Sequence, residues 1–254
     1  MQPLSENRMA LLARLEGLDW WKNTDLEIQL AIIHTPDKKW DGFIEDLINR
    51  STVVGGLQHK RIIRFVTDVG KFGALVNFEV INQHDGDKLQ SYMYWSWRHG
   101  RASGAKGQVF VANGGKVVGF VDITSQKFAV GGETVGDLVG GFGEIGEGLL
   151  ETAVRELKEE LKGTVKVSKV VPLGEYFVDA GLTNNCPGIF FAIVDVDSIP
   201  DFGESEQEDK QEVTSSFRVR PIAEYLEYVN QSKDGMTLAV FAKIVAGGYY
   251  LGLM

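Results

Sequence analysis

The chain has 254 residues, 44% hydrophobic and 24% charged, which excludes disordered and fibrous classes and leaves room for one large domain or two small ones. Its 35 acidic against 26 basic residues give a formal charge of -9, which argues against nucleic acid or an anionic membrane as partner. A single cysteine, Cys186, allows no intramolecular disulfide, no stretch approaches 18 apolar residues, and the cytoplasm is the expected compartment.

Residues 5 to 18 read as a helix, with Ser5 as N-cap and Met9, Leu12, Leu15 and Leu18 as its apolar stripe. After Thr35-Pro36, the positions Trp40, Phe43, Ile44, Leu47 and Ile48 recur at helical spacing, with Asp37 placed to cap the start. The period then changes: RIIRFV, FGALVNFEVI and LQSYMYWSW are β-branched and aromatic, are separated by Gly and Asp-Gly turns, and predict an antiparallel meander over residues 61 to 97. Trp95 and Trp97 share one face of the last strand, as core or dimer-contact residues. The small, basic stretch RHGRASGAKG marks a boundary and divides the chain into 1–106 and 107–254.

The second part begins with a hairpin, QVFVANGGKVVGFVD, followed by a strand near Lys127 to Val130, a Gly-rich loop and a helix from about Glu147 to Lys162. Strands return at VKVSKVVPLGEYFV and PGIFFAIVDV; an acidic loop, DFGESEQEDKQE, precedes another strand and helices at 221 to 230 and 236 to 245. Strands and helices in this order, without regular βαβ alternation, predict an α+β fold, an α/β/α sandwich.

The chemistry concentrates in GGFGEIGEGLLETAVRELKEELKG. Gly141 is followed after five residues by Glu147, then after seven by Arg155, Glu156 and Leu157, and after one more by Glu159 and Glu160. At usage of roughly 5 to 7% per residue type, six fixed identities recur by chance on the order of once in 10⁷ to 10⁸ registers, so an ordinary solvated face does not account for them. Glu156, Glu159 and Glu160 crowd one side of a helix, where like charges destabilise, while Leu149, Leu150, Ala153, Val154, Leu157 and Leu161 form an apolar face that fixes the helix on a core. Fixed carboxylates of this kind suit a hard cation; Mg²⁺, with Mn²⁺ as substitute, fits better than Zn²⁺. Arg155, four residues from both Glu151 and Glu159, can brace a carboxylate. The same stretch spells GxGxxG at Gly141, Gly143 and Gly146, but Glu144 and Glu147 would put negative charge where a dinucleotide pyrophosphate belongs.

This box resembles that of the Nudix hydrolases, and further segments are similar to the ADP-sugar (ADP-ribose) pyrophosphatases. KFAVGGETVGDLVGG at 127 to 141 looks like the stretch preceding the box in those enzymes, and DAGLTNN at 179 to 185 like a loop following it. The resemblance covers roughly residues 107 to 246 and implies Mg²⁺-dependent hydrolysis of a nucleoside diphosphate sugar to a nucleoside monophosphate and a sugar phosphate. It assigns metal binding to Glu156, Glu159, Glu160 and the backbone of Gly140, and implicates Arg155 and Glu159 in catalysis. It also puts the base on a later loop, where Glu212, and after it Glu208, stands. Substrate binding falls to Lys127, Asp179, Gly181, Thr183 and Asn184, the loop's polar groups being suited to sugar hydroxyls. A homodimer through the 61 to 97 strands is expected, an aromatic meander needing cover for one face. Hydrolysis of another diphosphate, or a non-catalytic nucleotide-sugar sensor, are the alternatives. Lys127 and Ala180 depart from the usual Arg and Pro, and Lys162-Gly163 from the usual close of the box. His34, His59, His84 and His99 lack ligand spacing, and Cys186 has no histidine near it.

Overall fold

In the computed structural model, which describes residues 4–50, 53–67, 72–98, 100, 104–126, 131, 133–144, 146–161, 165–197, 203–204 and 216–253, Ser5 caps helix α1 (Glu6–Glu16) by accepting the Arg8 N–H at 3.1 Å. The chain divides into two units, one of Met1–Ser103 with Phe177–Cys186 and one of Gly104–Tyr176 with Pro187–Met254.

In the first unit, α1 is followed by α2 (Asp19–Lys22), α3 (Leu26–Ile33) and α4 (Asp37–Asn49), then by an antiparallel sheet of β1 (Val53–Val54), β2 (Leu57–Val66), β3 (Gly73–Asn82) and β4 (Lys88–Trp97) in sequential order. The expected meander is thus present. Helices α2 and α3 arise in a stretch without a clear amphipathic period; α3 is apolar almost throughout, so no stripe announces it. Alternation along β3 sends Ala74, Val76, Phe78 and Val80 into a core with Trp20, Phe43, Ile44 and Leu47. Trp95 and Trp97 sit on the opposite face of β4 from buried Tyr94, edge to face at 6.0 Å. Pro36 holds the N-cap position of α4 and Asp37 is already helical, a correction to the expected cap.

The face of α1 also differs from its stripe. Met9 is 53% exposed, whereas Arg8, Leu11 and Leu15 are buried. Arg8 can occupy the core because its guanidinium is satisfied: Nε donates to Asp41 Oδ1 at 2.7 Å, and Nη1 to the Thr35 carbonyl at 2.9 Å and hydroxyl at 3.1 Å. The segment 177–186 then returns to this unit. Trp95 N–H donates to the Leu182 carbonyl at 2.7 Å, and a parallel bridge joins Trp95 to Thr183.

The second unit is built on a mixed sheet in the order β11 (Gly203–Glu204), β12 (Ser216–Pro221), β6 (Lys116–Gln126), β5 (Ala105–Asn113), β10 (Gly188–Asp195) and β9 (Lys166–Glu175). β5 and β10 run parallel and the other pairs antiparallel. Helix α5 (Leu149–Glu160) covers one face through Val109, Val111, Val121, Ala153 and Leu157. On the other, α6 (Tyr225–Gln231), α7 (Gly235–Ala246) and α8 (Tyr250–Leu253) pack on Phe110, Phe120, Ile189 and Phe191. The fold is α+β, with the sheet between helical layers.

What positions the site is a parting of two strands. β5 and β6 pair only from Phe110/Phe120 toward their turn. Beyond that, the expected Gly-rich loop enters the sheet as two short strands: β7 (Thr134–Asp137) pairs with β6, and β8 (Val139–Gly141) with β5. Buried Gln108 donates to the Val121 carbonyl at 2.8 Å, a side chain reaching the strand where backbone pairing between β5 and β6 has ceased. The strand expected near Lys127 to Val130 and most of the acidic loop lie outside the described residues.

Removing Arg8 leaves Asp41 Oδ1 and the Thr35 carbonyl without the donor they share, while Asn7 still serves Asp41 Oδ2, so Arg8→Ala lowers unfolding stability by about 3 kcal/mol. A double variant, Arg8→Met with Asp41→Leu, regains most of that loss. Urea denaturation checks both, and an unchanged midpoint in Arg8→Ala contradicts the expectation.

Candidate active site

Helix α5 starts at Leu149, with Gly148 in extended conformation at its N-cap. A glycine has no side chain to cap with; instead Glu151 reaches back and accepts the Gly148 N–H at 2.8 Å, half of a capping box. Glu147 therefore stands just before the helix. Its Oε2 accepts the Glu144 N–H and the Thr152 hydroxyl, each at 2.9 Å.

Arg155 is the centre of the cluster. Its Nε and Nη2 grip Glu147 at 3.0 and 3.1 Å, its Nη1 donates to Glu156 at 2.8 Å and Glu159 at 2.9 Å, and Nη2 also donates to the Phe142 carbonyl at 2.7 Å. The brace expected toward Glu159 is there, while the partner before the helix is Glu147 rather than Glu151. These hydrogen bonds hold the Glu147 carboxyl well below the usual range, at about 2, and raise Arg155 further.

Glu160 stands apart from this guanidinium. Its Oε2 accepts the Gly140 N–H at 3.1 Å, and burial pushes its carboxyl up to about 8, against the opposing pull of that N–H and of Lys106. Burial also raises Glu156, despite Arg155 beside it. Lys106 pairs with Asp137 at 2.6 Å; burial works against its charge, yet Asp137 keeps the ammonium above its ordinary value. Lys106 and Asp137 were not singled out from the sequence, because nothing in their spacing links them to the box; cross-strand register does, since Lys106 pairs with Gly140.

Two glycines make the approach possible. Gly140 has φ 143°, and a Cβ there would strike the Ala105 carbonyl; a Cβ on Gly141 would lie 2.5 to 2.7 Å from the Glu156 carboxylate. The helix thus brings Glu156 and Glu160 against the backbone of β8. Glu159 is exposed on the same helix. Asp179, Gly181, Thr183 and Asn184 belong to the first unit. There Asp179 accepts the Gly181 N–H at 2.9 Å, Thr183 the Asn185 N–H at 3.1 Å, and Asn184 is spent at both ends, on the Trp97 N–H at 3.1 Å and Ser96 Oγ at 3.0 Å. Lys127, Glu208 and Glu212 lie outside the described residues.

The family model described as NUDIX domain matches residues 109–238, about half of the chain. The chain belongs to the Nudix family. One solved structure, described as an ADP compounds hydrolase, matches with a TM-score of 0.56 at 14% identity over 80% of this chain and 100% of that one, a likeness of fold. No curated protein matches the chain in sequence. No helix among the described residues is long and apolar enough to cross a membrane.

Nudix enzymes generally use divalent metal ions. Among the described residues no three Asp, Glu, His or Cys side chains converge on one point, since Arg155 gathers Glu147, Glu156 and Glu159 along its own edge. Glu156 and Glu160, one turn apart and both raised by burial, still fit such an ion: Mg²⁺ takes one or two carboxylates and keeps its other positions for water and phosphate.

Gly141→Ala tests the close approach. The added methyl displaces the Glu156 carboxylate without touching the sheet's core, so turnover with a divalent metal falls at least about tenfold while the thermal midpoint stays within a few degrees. Unchanged turnover in a folded Gly141→Ala variant shows that the approach is dispensable.

Proposed function

We propose that this Nudix protein hydrolyses a nucleoside diphosphate sugar, ADP-ribose or a related ADP-sugar, with Mg²⁺, releasing a nucleoside monophosphate and a sugar phosphate. The observation that carries the reading is the pair Glu156 and Glu160 set against Gly140–Gly141, with Arg155 fixing the surrounding carboxylates. Bound Mg²⁺ would neutralise charge on the diphosphate and lower the pKa of an attacking water. Glu156 and Glu160 would hold it, with Glu159 and the Gly140 backbone as further ligands. Arg155 keeps the carboxylates oriented, and Glu212, or Glu208, is the proposed base. Lys127, Asp179, Gly181, Thr183 and Asn184 are the proposed substrate-binding residues.

The fold shared with a protein described as an ADP compounds hydrolase supports a nucleoside diphosphate derivative as substrate. A panel of ADP-ribose, ADP-glucose, GDP-mannose, NADH, diadenosine polyphosphates and dGTP with Mg²⁺, read by product identity, tests the assignment. A clear kcat/KM preference for dGTP or a dinucleotide would move the protein to another diphosphate substrate. A homodimer through the outer face of the first unit's sheet, where Leu89 and Met93 are exposed, belongs to the same reading; sedimentation as a monomer at micromolar concentration would remove it.

Glu160→Gln is expected to lower turnover by at least about a hundredfold with the fold intact, because a metal-binding charge is lost. Glu156→Gln behaves similarly. Glu151→Gln stays mild, its amide oxygen still accepting the Gly148 N–H. Near-normal turnover in folded Glu160→Gln excludes Glu160 from the metal site.

A further inference from the structure

Arg155 braces Glu147, Glu156 and Glu159, and Glu160 lies outside its reach. A carboxylate in that position needs a compensating charge and an orienting donor of its own, because its neighbours are acids. Glu156 and Asp137 repel it; Lys106 attracts it, and the Gly140 N–H donates to it at 3.1 Å. The cation and the donor meet at one place in the sheet.

That place is the corner of the inserted strands. β7 ends at Asp137 and β8 begins at Val139, so the chain crosses from the edge of β6 to the edge of β5 at the single residue Leu138. Leu138 and Val139 are both buried, which anchors the corner in the cores of the unit. The polar half of the anchor is Asp137: its Oδ1 accepts the Leu138 N–H at 2.8 Å and Lys106 Nζ at 2.6 Å. Lys106 belongs to β5, whereas Asp137 is paired with β6, so this ion pair bridges the two strands where they have parted. Lys106 is also the cross-strand partner of Gly140, and a Cβ on Gly140 would lie 2.8 Å from the Lys106 Cα. The residue that grips the corner is thus in register with the residue whose N–H orients Glu160.

We propose that Lys106 is a positioning residue for Glu160: by holding Asp137 at the corner between β7 and β8, it keeps the Gly140 N–H directed at the carboxylate. This rests on the reading of the protein as a metal-dependent hydrolase in which Glu160 is a ligand. A cation beside a metal site opposes the metal by Coulomb repulsion. Any support that Lys106 gives to metal binding therefore comes through geometry, and the sign of the effect separates the two.

Two variants change the local charge in opposite directions. Lys106→Met removes a positive charge and keeps the stem; Asp137→Asn removes a negative one and keeps an oxygen for the Leu138 N–H. Charge alone would tighten Mn²⁺ binding in the first and weaken it in the second, whereas lost positioning weakens it in both. Mn²⁺ titration of the full chain, followed by electron paramagnetic resonance, is expected to show Kd raised about tenfold or more in each variant. Turnover of ADP-ribose falls by a similar factor while KM stays within about twofold. Without metal, amide hydrogen exchange at Gly140 speeds up about tenfold in each. Lys106→Arg, which keeps charge and reach, restores most of the loss, and Lys233→Met, an exposed lysine paired with Glu133, leaves all three readings unchanged.

Unchanged or tighter Mn²⁺ binding in folded Lys106→Met overturns the proposal, as does unchanged exchange at Gly140. Should Lys106→Met not fold, Asp137→Asn decides it by the Gly140 exchange. If the wild-type chain binds no Mn²⁺ and cleaves no diphosphate, the hydrolase reading fails by itself, and Gly140 exchange alone decides whether Lys106 holds the corner.

Discussion

Carboxylates three and four residues apart on one helix repel one another, and here a single guanidinium holds them in register. Arg155 meets Glu147, Glu156 and Glu159 together with the Phe142 carbonyl, so the loop before α5 and the helix itself are tied at one point. Only a planar fork with several donors can do this; a lysine ammonium would satisfy fewer partners with less direction. Glu160 escapes the fork because it lies five residues on, and the Gly140 N–H takes its place as the orienting donor.

That second contact depends on the sheet. β5 and β6 separate beyond Phe110 and Phe120, and β7 and β8 occupy the separation. The inserted strands bring two glycines to the helix, where any side chain would push the Glu156 carboxylate away or collide with β5. The same insertion puts Asp137 beside Lys106, tying the corner between the two short strands to β5. Gln108 shows the structural consequence of the parting, its amide serving a backbone carbonyl across it.

The first unit follows a different logic. Four helices cover one face of a meander, and a fully buried Arg8 joins α1 to α4 through Asp41. Segment 177–186 then adds to β4 by backbone pairing, with Asn184 sealing the contact. A chain that visits this unit twice has a sequence boundary near residue 104 and a second crossing that no local composition shift announces.

Much of this is determined by the sequence alone. The spacing of Gly141, Glu147, Arg155, Glu156, Glu159 and Glu160 specifies the acidic helix and the Nudix family, because helical periodicity is a local property and charge crowding is legible in it. The meander, the hairpin and most helices follow from period and turn residues for the same reason. Other features were decided by tertiary packing. Arg8 is buried because Asp41 and Thr35 meet it from distant positions; α3, apolar but for Glu27 and Gln29, has no stripe to reveal it; and the glycines after residue 130 become strands because β5 and β6 each offer an unpaired edge. Lys106 gains its position from cross-strand register, which joins residues far apart in the chain. Local sequence records what each segment can form, and only the folded sheet determines which segments become neighbours.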